Sequence, residues 1–341
     1  MNKMKKILVT GGAGFIGAHL VDTLIKKKYK VLVVDNLKTI GGIKYIHPKS
    51  YFLRGDLLSN KILKKIEMWK PEIIFHLAAQ SGGESAYDNP KYDFLSNGFG
   101  TYKLCELAKK IKIKHLIYTS SLAVYGSNKK QKISENNDIN PDSIYGISKY
   151  TGEMFIKQLL KNTKIKTTIF RVSNAYGPGE NLNYTKKGMV SIFSSYIWKK
   201  KPIIVKGSLN RVRDITYIKD CIKILTESIN NNKLKKNDII NLSSGQRFTV
   251  KELIKQILLA SRKKKYKIII KPGTRGDSAI FHTSNKNLKK RFPNIKFTSI
   301  GLGLREYFNW INKVPINKNL ENYHPFKIKK SKIKKILKIL K

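Results

Sequence analysis

The segment KILVTGGAGFIG, which occupies residues 6–17, decides the fold of this chain. Residues 6–10 are a short apolar run typical of a buried strand, and a glycine loop follows them directly. Residues 19–28 have helical periodicity, and residues 31–34 form a second apolar run. A strand, a tight glycine turn, a helix and a second strand in this order predict a βαβ unit.

The alternation of strand-like and helix-like segments continues through the first half of the chain. Strand-like runs fall at residues 73–77, 115–119 and 167–172, and helix-like runs fall at residues 60–69, 97–111 and 143–161. Parallel strands need such helical crossovers. The pattern therefore predicts an α/β fold with a Rossmann-like, doubly wound parallel sheet.

The second half of the chain has a different character, because glycine and proline interrupt the pattern after about residue 171. We expect residues 1–172 to form a nucleotide-binding Rossmann domain, with a return segment near residues 212–230. Residues 173–312 are expected to form a smaller C-terminal substrate domain that closes over the sheet. Its predicted segments are helices at residues 189–200, 250–261 and 301–312 and strands at residues 203–206, 239–242 and 267–271.

The composition is that of a globular protein. The chain has 341 residues, of which 41% are apolar and 10% aromatic, and no run of apolar residues is long enough to predict a membrane span. The basic N-terminus resembles a secretory leader, but the apolar run at residues 7–9 is short and meets glycines at once. Cys105 and Cys221 are the two cysteines. Isolated thiols indicate a reducing compartment, so we expect a cytoplasmic protein.

The net charge of +47 raises the question of nucleic-acid binding. The lysines are spread over every segment, however, and no basic stripe is interleaved with stacking aromatic residues. We therefore expect no nucleic-acid partner. A positive field would instead attract an anionic substrate.

The basic tail, residues 313–341, is a separate segment. Ile333, Ile336, Leu337 and Leu340 would share one face of a helix, with lysines elsewhere. Such a helix can lie on an anionic membrane surface, and the alternative is a terminal helix packed on its own protein. The alternative is favoured, so membrane contact is the lesser expectation.

The glycine loop has the features of a dinucleotide site. Gly11, Gly14 and Gly17 follow a strand and open a helix, where backbone N–H groups can meet a pyrophosphate. Asp35 ends the second strand, where a carboxylate can accept hydrogen bonds from ribose hydroxyls and would repel a 2′-phosphate. The alternative for Asp35 is a turn former before Asn36. The whole unit favours NAD over NADP.

A candidate catalytic group lies further along the chain. Tyr145 and Lys149 share one face of a predicted helix. A free tyrosine is a poor base at neutral pH, and a neighbouring ammonium group would stabilise its phenolate. Ser121 follows a strand and could bridge Tyr145 to a substrate hydroxyl. A Tyr-x-x-x-Lys pair alone is also common on surface helices. The hypothesis of a catalytic site therefore rests on the combination of this pair with Ser121.

Five segments together resemble the extended short-chain dehydrogenase/reductase family, whose members include NAD-dependent sugar epimerases and dehydratases. These segments are VTGGAGFIG (9–17), HLAAQ (76–80), YTSSLAVYG (118–126), YGISK (145–149) and RVRDITYIKD (211–220). The resemblance runs in order from about residue 5 to residue 312. It implies NAD as the cofactor, a nucleotide sugar, most often a UDP-sugar, as the substrate, and a homodimer formed through a four-helix bundle from the helices of Asn97 and Tyr145. It implies no metal site.

The resemblance also assigns cofactor contacts. Asp56 is expected beside the adenine, Ala78 and Ala79 along the pyrophosphate, and Asn97 as a residue that orders the nearby strand. The full set of expected cofactor-binding residues is Gly11, Gly14, Phe15, Ile16, Gly17, Asp35, Asn36, Asp56, Leu57, Leu77, Ala78, Ala79, Gln80, Asn97, Thr119, Tyr145 and Lys149.

Substrate contacts are expected from Ser121, Tyr145, Asn174, Arg213 and Arg275. Asn174 resembles the residue that meets the substrate diphosphate, and Arg213 resembles the arginine that clamps it. The alternatives are a turn cap for Asn174 and a surface ion pair with Asp214 for Arg213. Arg275 stands one place away from the position that the family pattern predicts. Further candidates for the sugar pocket, from their positions in glycine-flanked or polar loops, are Tyr87, Tyr184 and Lys186, and the alternative for all three is an exposed loop residue.

The residues after Ser121 separate the reactions of the family. Dehydratases of this family carry Asp-Glu after the catalytic hydroxyl and uronate decarboxylases carry Glu, whereas this chain has Leu122-Ala123, which cannot transfer protons. Epimerisation is the predicted reaction, and the resemblance to sugar 4-epimerases of the family implies C4 as the carbon. The alternatives are a sugar-nucleotide dehydrogenase or 4-keto-sugar reductase of surface polysaccharide biosynthesis, and an NAD-binding sensor.

Overall fold

The computed structural model describes residues 4–38, 45–127, 132–184, 186, 188–263, 265–273 and 282–314. Its strands are β1 (Lys6–Thr10), β2 (Lys30–Asp35), β3 (Tyr51–Arg54), β4 (Ile73–His76), β5 (His115–Ser121), β6 (Lys166–Val172), β7 (Asn174–Tyr176), β8 (Ile203–Lys206), β9 (Val212–Tyr217), β10 (Asn237–Leu242), β11 (Arg247–Thr249) and β12 (Ile268–Lys271). Its α-helices are α1 (Phe15–Lys26), α2 (Asn60–Trp69), α3 (Gly83–Asp88), α4 (Pro90–Phe94), α5 (Gly100–Lys110), α6 (Ile144–Leu160), α7 (Met189–Trp198), α8 (Ile218–Glu227), α9 (Val250–Ala260), α10 (Lys286–Arg291) and α11 (Ile300–Ile311).

The largest sheet contains seven of the described strands in the order β10-β6-β5-β4-β1-β2-β3. All of its neighbouring strands are parallel. The chain runs outward from β1 in one direction through β2 and β3, and in the other through β4, β5 and β6. In such a sheet a ligand crevice opens at the carboxyl ends of the strands where the direction changes. The prediction of a Rossmann-like α/β fold is confirmed.

Both faces of this sheet are covered by helices, as the continuous apolar strands require. Ile7 and Val9 of β1 join the hydrophobic core that contains Leu20 of α1. Leu8, between them in the chain, joins the core on the other face, which contains Leu104 of α5. Successive side chains of a strand point to opposite faces, so β1 contributes to both cores.

The chain returns to this sheet late, and the return extends beyond the predicted segment at residues 212–230. Helix α8 packs against α1, and β10 pairs with β6 as the edge strand of the sheet. Strand β9, although within the predicted segment, belongs to a separate sheet with β7 and β11. The division of the chain into two domains at the stated boundaries stays a prediction.

The remaining elements form a smaller unit. The described part of it contains the three-stranded sheet in the order β11-β9-β7 and a two-stranded sheet of β12 and β8. Helices α7 and α11 pack against α9. Strand β7 follows β6 after a single residue, so this unit begins at the carboxyl edge of the large sheet.

Two findings bear on the predicted membrane contacts. None of the helices among the described residues is both long and apolar enough to span a membrane. The predicted amphipathic tail lies outside the described residues, apart from its first two positions.

The helix predicted at residues 97–111 starts as a π-helical turn at Leu95–Phe99 and continues as α5. Such π-turns are frequent at functional sites.

Candidate active site

A cleft of about 440 Å³ lies at the carboxyl ends of β1, β2, β4 and β5 and is bounded on its far side by β7 and β9. It brings together most of the residues predicted for the cofactor, the substrate and catalysis. Those that line it are Gly11, Gly14, Phe15, Ile16, Gly17, Asp35, Asn36, Asp56, Leu57, Leu77, Ala78, Ala79, Thr119, Ser121, Tyr145, Lys149, Asn174 and Arg213. Their individual roles stay predictions.

The glycine loop is shaped so that side chains would not fit. Gly11 has φ +70°, and a Cβ there would lie 2.6 Å from the backbone nitrogen of Ala78. A Cβ on Gly17 would lie 2.2 Å from the backbone oxygen of Gly11. The N-cap of α1 is Gly14, so no side chain of the cap residue bonds the helix start, and the first turn has no acidic residue. The first N–H groups of the helix therefore lie at the loop without an acidic side chain of the helix beside them.

Asp35 is held in place at the end of β2. Its carboxylate accepts hydrogen bonds from the backbone N–H groups of Ala13, at 2.9 Å, and Leu37, at 2.8 Å. Burial raises the pKa of Asp35, and these two hydrogen bonds oppose that rise. Each oxygen keeps a lone pair for a ribose hydroxyl. The uncapped glycine turn and the oriented carboxylate fit a dinucleotide without a 2′-phosphate, which is NAD.

Two of the predicted cofactor residues lie behind the cleft rather than in it. Gln80 and Asn97 are buried, and Asn97 Nδ2 donates to the backbone oxygen of Gln80 at 3.0 Å. Asn97 Nδ2 also lies 2.9 Å from Ser148 Oγ on α6. This geometry agrees with the expectation that Asn97 orders the end of the nearby strand. The side chains of Gln80 and Asn97 are not part of the cleft lining.

The three predicted catalytic side chains reach the cleft from two elements. Ser121 ends β5, and its Oγ accepts from the backbone N–H of Ala123 at 3.2 Å. Tyr145 and Lys149 lie one turn apart near the start of α6. Ser143 caps this helix, because its side chain accepts from the N–H of Gly146 at 3.1 Å. The cap fixes where the helix begins and so aims the tyrosine at Ser121.

Burial controls the ionisation of the pair. It raises the pKa of Tyr145 to about 12, although the hydrogen bond with Ser121 opposes the rise. It lowers the pKa of Lys149 to about 7, against the effect of the nearby acids Glu153 and Asp93. The Lys149 ammonium lies 4.2 Å from the centroid of the Tyr118 ring. An aromatic face stabilises a cation whose water has been removed.

A buried ion pair lies behind the catalytic helix. Glu153 Oε2 is 2.7 Å from Arg171 Nη2, and both side chains are almost completely buried. Ser120 Oγ donates to Glu153 Oε1 at 2.6 Å, and Arg171 Nη1 donates to Tyr125 Oη at 2.8 Å. The network ties β5, β6 and α6 together. Removal of either ion would leave an unpaired buried charge, which is costly.

The substrate end of the cleft carries the predicted diphosphate contacts. Asn174 Nδ2 donates to the backbone oxygen of Asp214 at 3.3 Å. Arg213 is 4% exposed and Asp214 is completely buried, so a surface ion pair between them is ruled out. Burial lowers the pKa of Arg213 to about 10, which leaves the guanidinium charged at neutral pH. Arg275 lies outside the described residues.

Some residues of the cleft were not among the predicted site. Tyr45 and Gly179 line it, and Tyr45 Oη donates to the backbone oxygen of Gly179, so two segments that are distant in the chain meet at the cleft. Of the three loop residues considered for the sugar pocket, Tyr184 lines the cleft and lies 2.5 Å from Ser85 Oγ, whereas Tyr87 and Lys186 are not part of the lining. Leu122 and Ala123 line the cleft next to Ser121, so that position supplies no titratable side chain.

Known proteins share both the sequence pattern and this geometry. The family model described as the NAD dependent epimerase/dehydratase family matches residues 7–243. The chain belongs to this family. The matched span contains the glycine loop, the catalytic group and Arg213, and therefore both ends of the cleft.

Individual relatives have similar lengths and folds. A Methanocaldococcus jannaschii protein that carries a provisional name as a UDP-glucose 4-epimerase is 38% identical over 72% of this chain and 79% of its own length. The crystal structure of UDP-glucose 4-epimerase from Thermotoga maritima with UDP-glucose has a TM-score of 0.85 and 30% identity, and the match covers 90% of this chain and 99% of that one. The Thermus thermophilus UDP-glucose 4-epimerase in complex with NAD has a TM-score of 0.83 and 26% identity, with 91% and 100% coverage.

These comparisons confirm the resemblance, the enzyme class and the cofactor that the sequence predicts. The protein is an NAD-dependent nucleotide-sugar epimerase by family and by the solved structures it is similar to. They favour epimerisation over the dehydrogenase and reductase alternatives.

Proposed function

We propose that the protein interconverts two nucleotide sugars that differ at C4, through a transient 4-keto sugar, and that UDP is the nucleotide. One observation carries the proposal: Ser121, Tyr145 and Lys149 meet the glycine loop in one cleft, while Leu122 and Ala123 beside them supply no acid or base. Oxidation and reduction at one carbon need only the first group of residues. Elimination needs an additional proton-transfer residue.

The roles of the side chains follow from their chemistry. Bound NAD supplies the acceptor and then the donor of the hydride. Tyr145 as a phenolate accepts the proton of the sugar C4 hydroxyl, and Ser121 holds that hydroxyl by a hydrogen bond. Lys149 as an ammonium stabilises the phenolate. Tyr145 would then give the proton back to the C4 oxygen, when the keto sugar is reduced on its opposite face.

The diphosphate of the substrate is assigned to Arg213 and Asn174. A buried guanidinium can bind phosphate oxygens through two parallel hydrogen bonds, and an amide can donate one more. Support for UDP comes from the relatives described above, which are named for UDP-glucose. The net charge of +47 favours the approach of any such anion.

The test is incubation of the purified protein with UDP-, GDP-, CDP- and dTDP-sugars without added reductant. The proposal predicts that a C4 epimer of a UDP-sugar accumulates in the NMR spectrum while nicotinamide absorbance shows no net NADH. Accumulation of NADH in step with a keto sugar would contradict it and make the protein a dehydrogenase. Conversion of a GDP-, CDP- or dTDP-sugar instead would keep the reaction and overturn UDP.

The expected homodimer is part of the proposal. An apolar surface patch includes Phe94, Phe99, Ile147 and Met154, which are 49%, 38%, 52% and 37% exposed. Ile147 and Met154 lie two turns apart on one face of α6, and α6 packs beside α5. Exposed apolar residues gathered on one surface mark an interaction site, and two copies of these helices would bury them in a four-helix bundle.

Sedimentation at micromolar concentration tests the dimer. The wild-type protein should sediment as a dimer and Ile147→Glu as a monomer. Leu259→Glu, a matched control on α9 where the side chain is 63% exposed, should remain a dimer. A wild-type monomer, or dissociation by both changes, would contradict the assignment of this surface.

We also place the protein in the cytoplasm. Cys105 and Cys221 are free thiols and both are buried. Burial raises the pKa of each thiol. Free thiols are typical of reducing compartments. Fractionation of cells that express the untagged protein tests this assignment, and recovery with membranes or the medium would contradict it.

A further inference from the structure

A buried carboxylate lies beside the catalytic pair, although no sequence motif pointed to it. Asp93 belongs to α4, and its side chain is completely buried. It accepts a hydrogen bond from Ser148 Oγ and another, at 3.3 Å, from Asn97 Nδ2. Ser148 directly precedes Lys149 on α6. The carboxylate is therefore held against the helix turn that carries Tyr145 and Lys149.

In the described part of the chain, Lys149 is the one cation that can neutralise the charge of Asp93. Glu153, the second buried acid near Lys149, is already paired, with Arg171 at 2.7 Å and Lys157 at 3.9 Å. No such salt bridge involves Asp93 among the described residues, and Lys149 is the cation that lowers its pKa. Burial nevertheless raises that pKa to about 6, so Asp93 is ionised above this pH.

The ammonium of Lys149 needs a negative neighbour. Lys149 is 2% exposed, and it lies over the ring of Tyr118. His76, which stacks on Tyr118 at 5.3 Å, stays neutral because burial lowers its pKa to about 3. A lysine in such a place loses its proton readily. Without its proton, it no longer supplies the positive charge that a phenolate at Tyr145 requires.

We propose that Asp93 is a positioning residue that keeps the Lys149 ammonium charged and fixed beside Tyr145. This proposal rests on the catalytic roles proposed above for Lys149 and Tyr145. A buried negative charge favours the protonated form of both neighbours, so it supports the ammonium and opposes the phenolate. The active form needs Lys149 protonated and Tyr145 deprotonated. Asp93 therefore sets where on the pH axis this form is most populated.

A purely structural role for Asp93 makes a different prediction. Its hydrogen bonds with Ser148 and Asn97 also tie α4 to α6 and to the π-helical turn. If that tie were its whole purpose, loss of the carboxylate would lower thermal stability and kcat at every pH alike. The pH at which activity rises and falls would not move.

The experiment is the pH profile of kcat/KM for the wild-type enzyme and Asp93→Asn with the sugar nucleotide that the wild type converts in the panel described above. The profile reports two apparent pKa values that belong to the coupled pair. Loss of a nearby negative charge lowers both, so we expect both limbs of the bell to move to lower pH by about 1 unit. The charged and titratable groups that also face the pair are kept in the variant, namely Glu153, Arg171, Lys157, His76 and Tyr118.

Glu67→Gln is the matched control, because it removes one negative charge from a partly exposed position on α2. Its profile should coincide with that of the wild type. Asp93→Ser is a second uncharged variant and should shift both limbs in the same direction. Limbs that stay in place, or limbs that move apart, would overturn the proposal. Failure of both uncharged variants to fold would assign Asp93 to the structure and also overturn it.

A separate readout keeps this proposal independent of the reaction. The tyrosinate absorbance of the NAD-loaded protein, minus that of Tyr145→Phe, isolates the titration of Tyr145 among the 17 tyrosines. Asp93→Asn should shift this titration to lower pH. If the wild type epimerises no sugar nucleotide, the proposed function fails, and the absorbance shift still decides the role of Asp93.

Discussion

The cofactor end and the substrate end of the cleft are built in different ways. The glycine loop and Asp35 at the cofactor end come from one contiguous stretch, β1 to β2, in which backbone groups of the loop and the Asp35 carboxylate face the crevice. The substrate end is assembled from β7 and β9, which are distant in the chain, and it presents the side chains of Asn174 and Arg213, which we propose as the diphosphate contacts. The glycine loop depends on the absence of side chains, and the proposed substrate end depends on their presence.

This difference explains what each end can recognise. A backbone cradle binds a diphosphate that every member of the fold needs, whatever the rest of the ligand is. Side chains on short strands and loops can change without disturbing the large sheet, so substrate choice is expected to reside there. Tyr145 lies where the two ends meet. Changes in the glycine loop, at Tyr145 and at the substrate end should therefore act separately on NAD binding, on kcat and on the KM of the substrate.

Tyr145→Phe should have the largest effect. Loss of the general base is expected to lower kcat by roughly 10²- to 10⁴-fold, while binding of NAD and of the UDP-sugar changes by no more than a few-fold. Epimer formation by NMR, bound NAD by absorbance after denaturation, and calorimetric titration with UDP measure the three quantities. Activity above about one tenth of the wild type would remove Tyr145 from the chemistry.

Gly17→Ala should act at the cofactor end. The new Cβ would lie 2.2 Å from the backbone oxygen of Gly11, so the loop must open. Forced overpacking costs about 1–3 kcal/mol, which corresponds to NAD binding weaker by roughly 5- to 150-fold. Calorimetric titration of the cofactor-free protein with NAD checks the loss.

The matched control for Gly17→Ala is Gly301→Ala on α11, where no atom lies within 4 Å of the added Cβ. Its NAD affinity should equal that of the wild type. Equal affinities for all three proteins would show that the tight turn is not what binds the pyrophosphate. If Gly17→Ala lost as much UDP affinity as NAD affinity, the two ends of the cleft would not bind their ligands independently.

Arg213→Lys should have the smallest of these effects. The lysine keeps the charge and loses the planar pair of donors, so we expect KM for the UDP-sugar to rise about 10-fold with little change in kcat. Steady-state kinetics measure both constants. Arg247→Lys, an exposed change on β11, serves as the control. A fall in NAD affinity as large as the rise in KM would place Arg213 at the wrong end of the cleft.

Much of the fold was predictable because its strands are buried on both faces. Strands β1, β2 and β4 read as continuous apolar runs, which are typical of a parallel sheet. Strand β3 was missed, since it is the edge strand and its residues are exposed or half-buried. Strands β7 and β11 were missed because three residues are too few for a period-2 pattern.

The site divides in the same way. The glycine loop and Asp35 were predicted because they lie in one local motif. Asp93 was not, since an aspartate after Asn-Pro-Lys-Tyr has the sequence of a surface turn, and its burial arises only when α4 packs against α6. The helix start at Asn89, whose side chain accepts from the N–H of Tyr92 at 3.0 Å, is the local signal that the sequence offered. Nothing in a single sequence reports a tertiary contact of this kind.

The most direct test of the central claim is epimerisation, in D₂O, of the UDP-sugar that the enzyme converts. If bound NAD accepts the C4 hydrogen as a hydride and gives it back, Tyr145 moves only the hydroxyl proton. The expected product is a C4 epimer that carries no deuterium at C4, in the mass and NMR spectra, and no NADH is released. Deuterium at C4 would show that the carbon was deprotonated instead, and it would contradict the proposed mechanism.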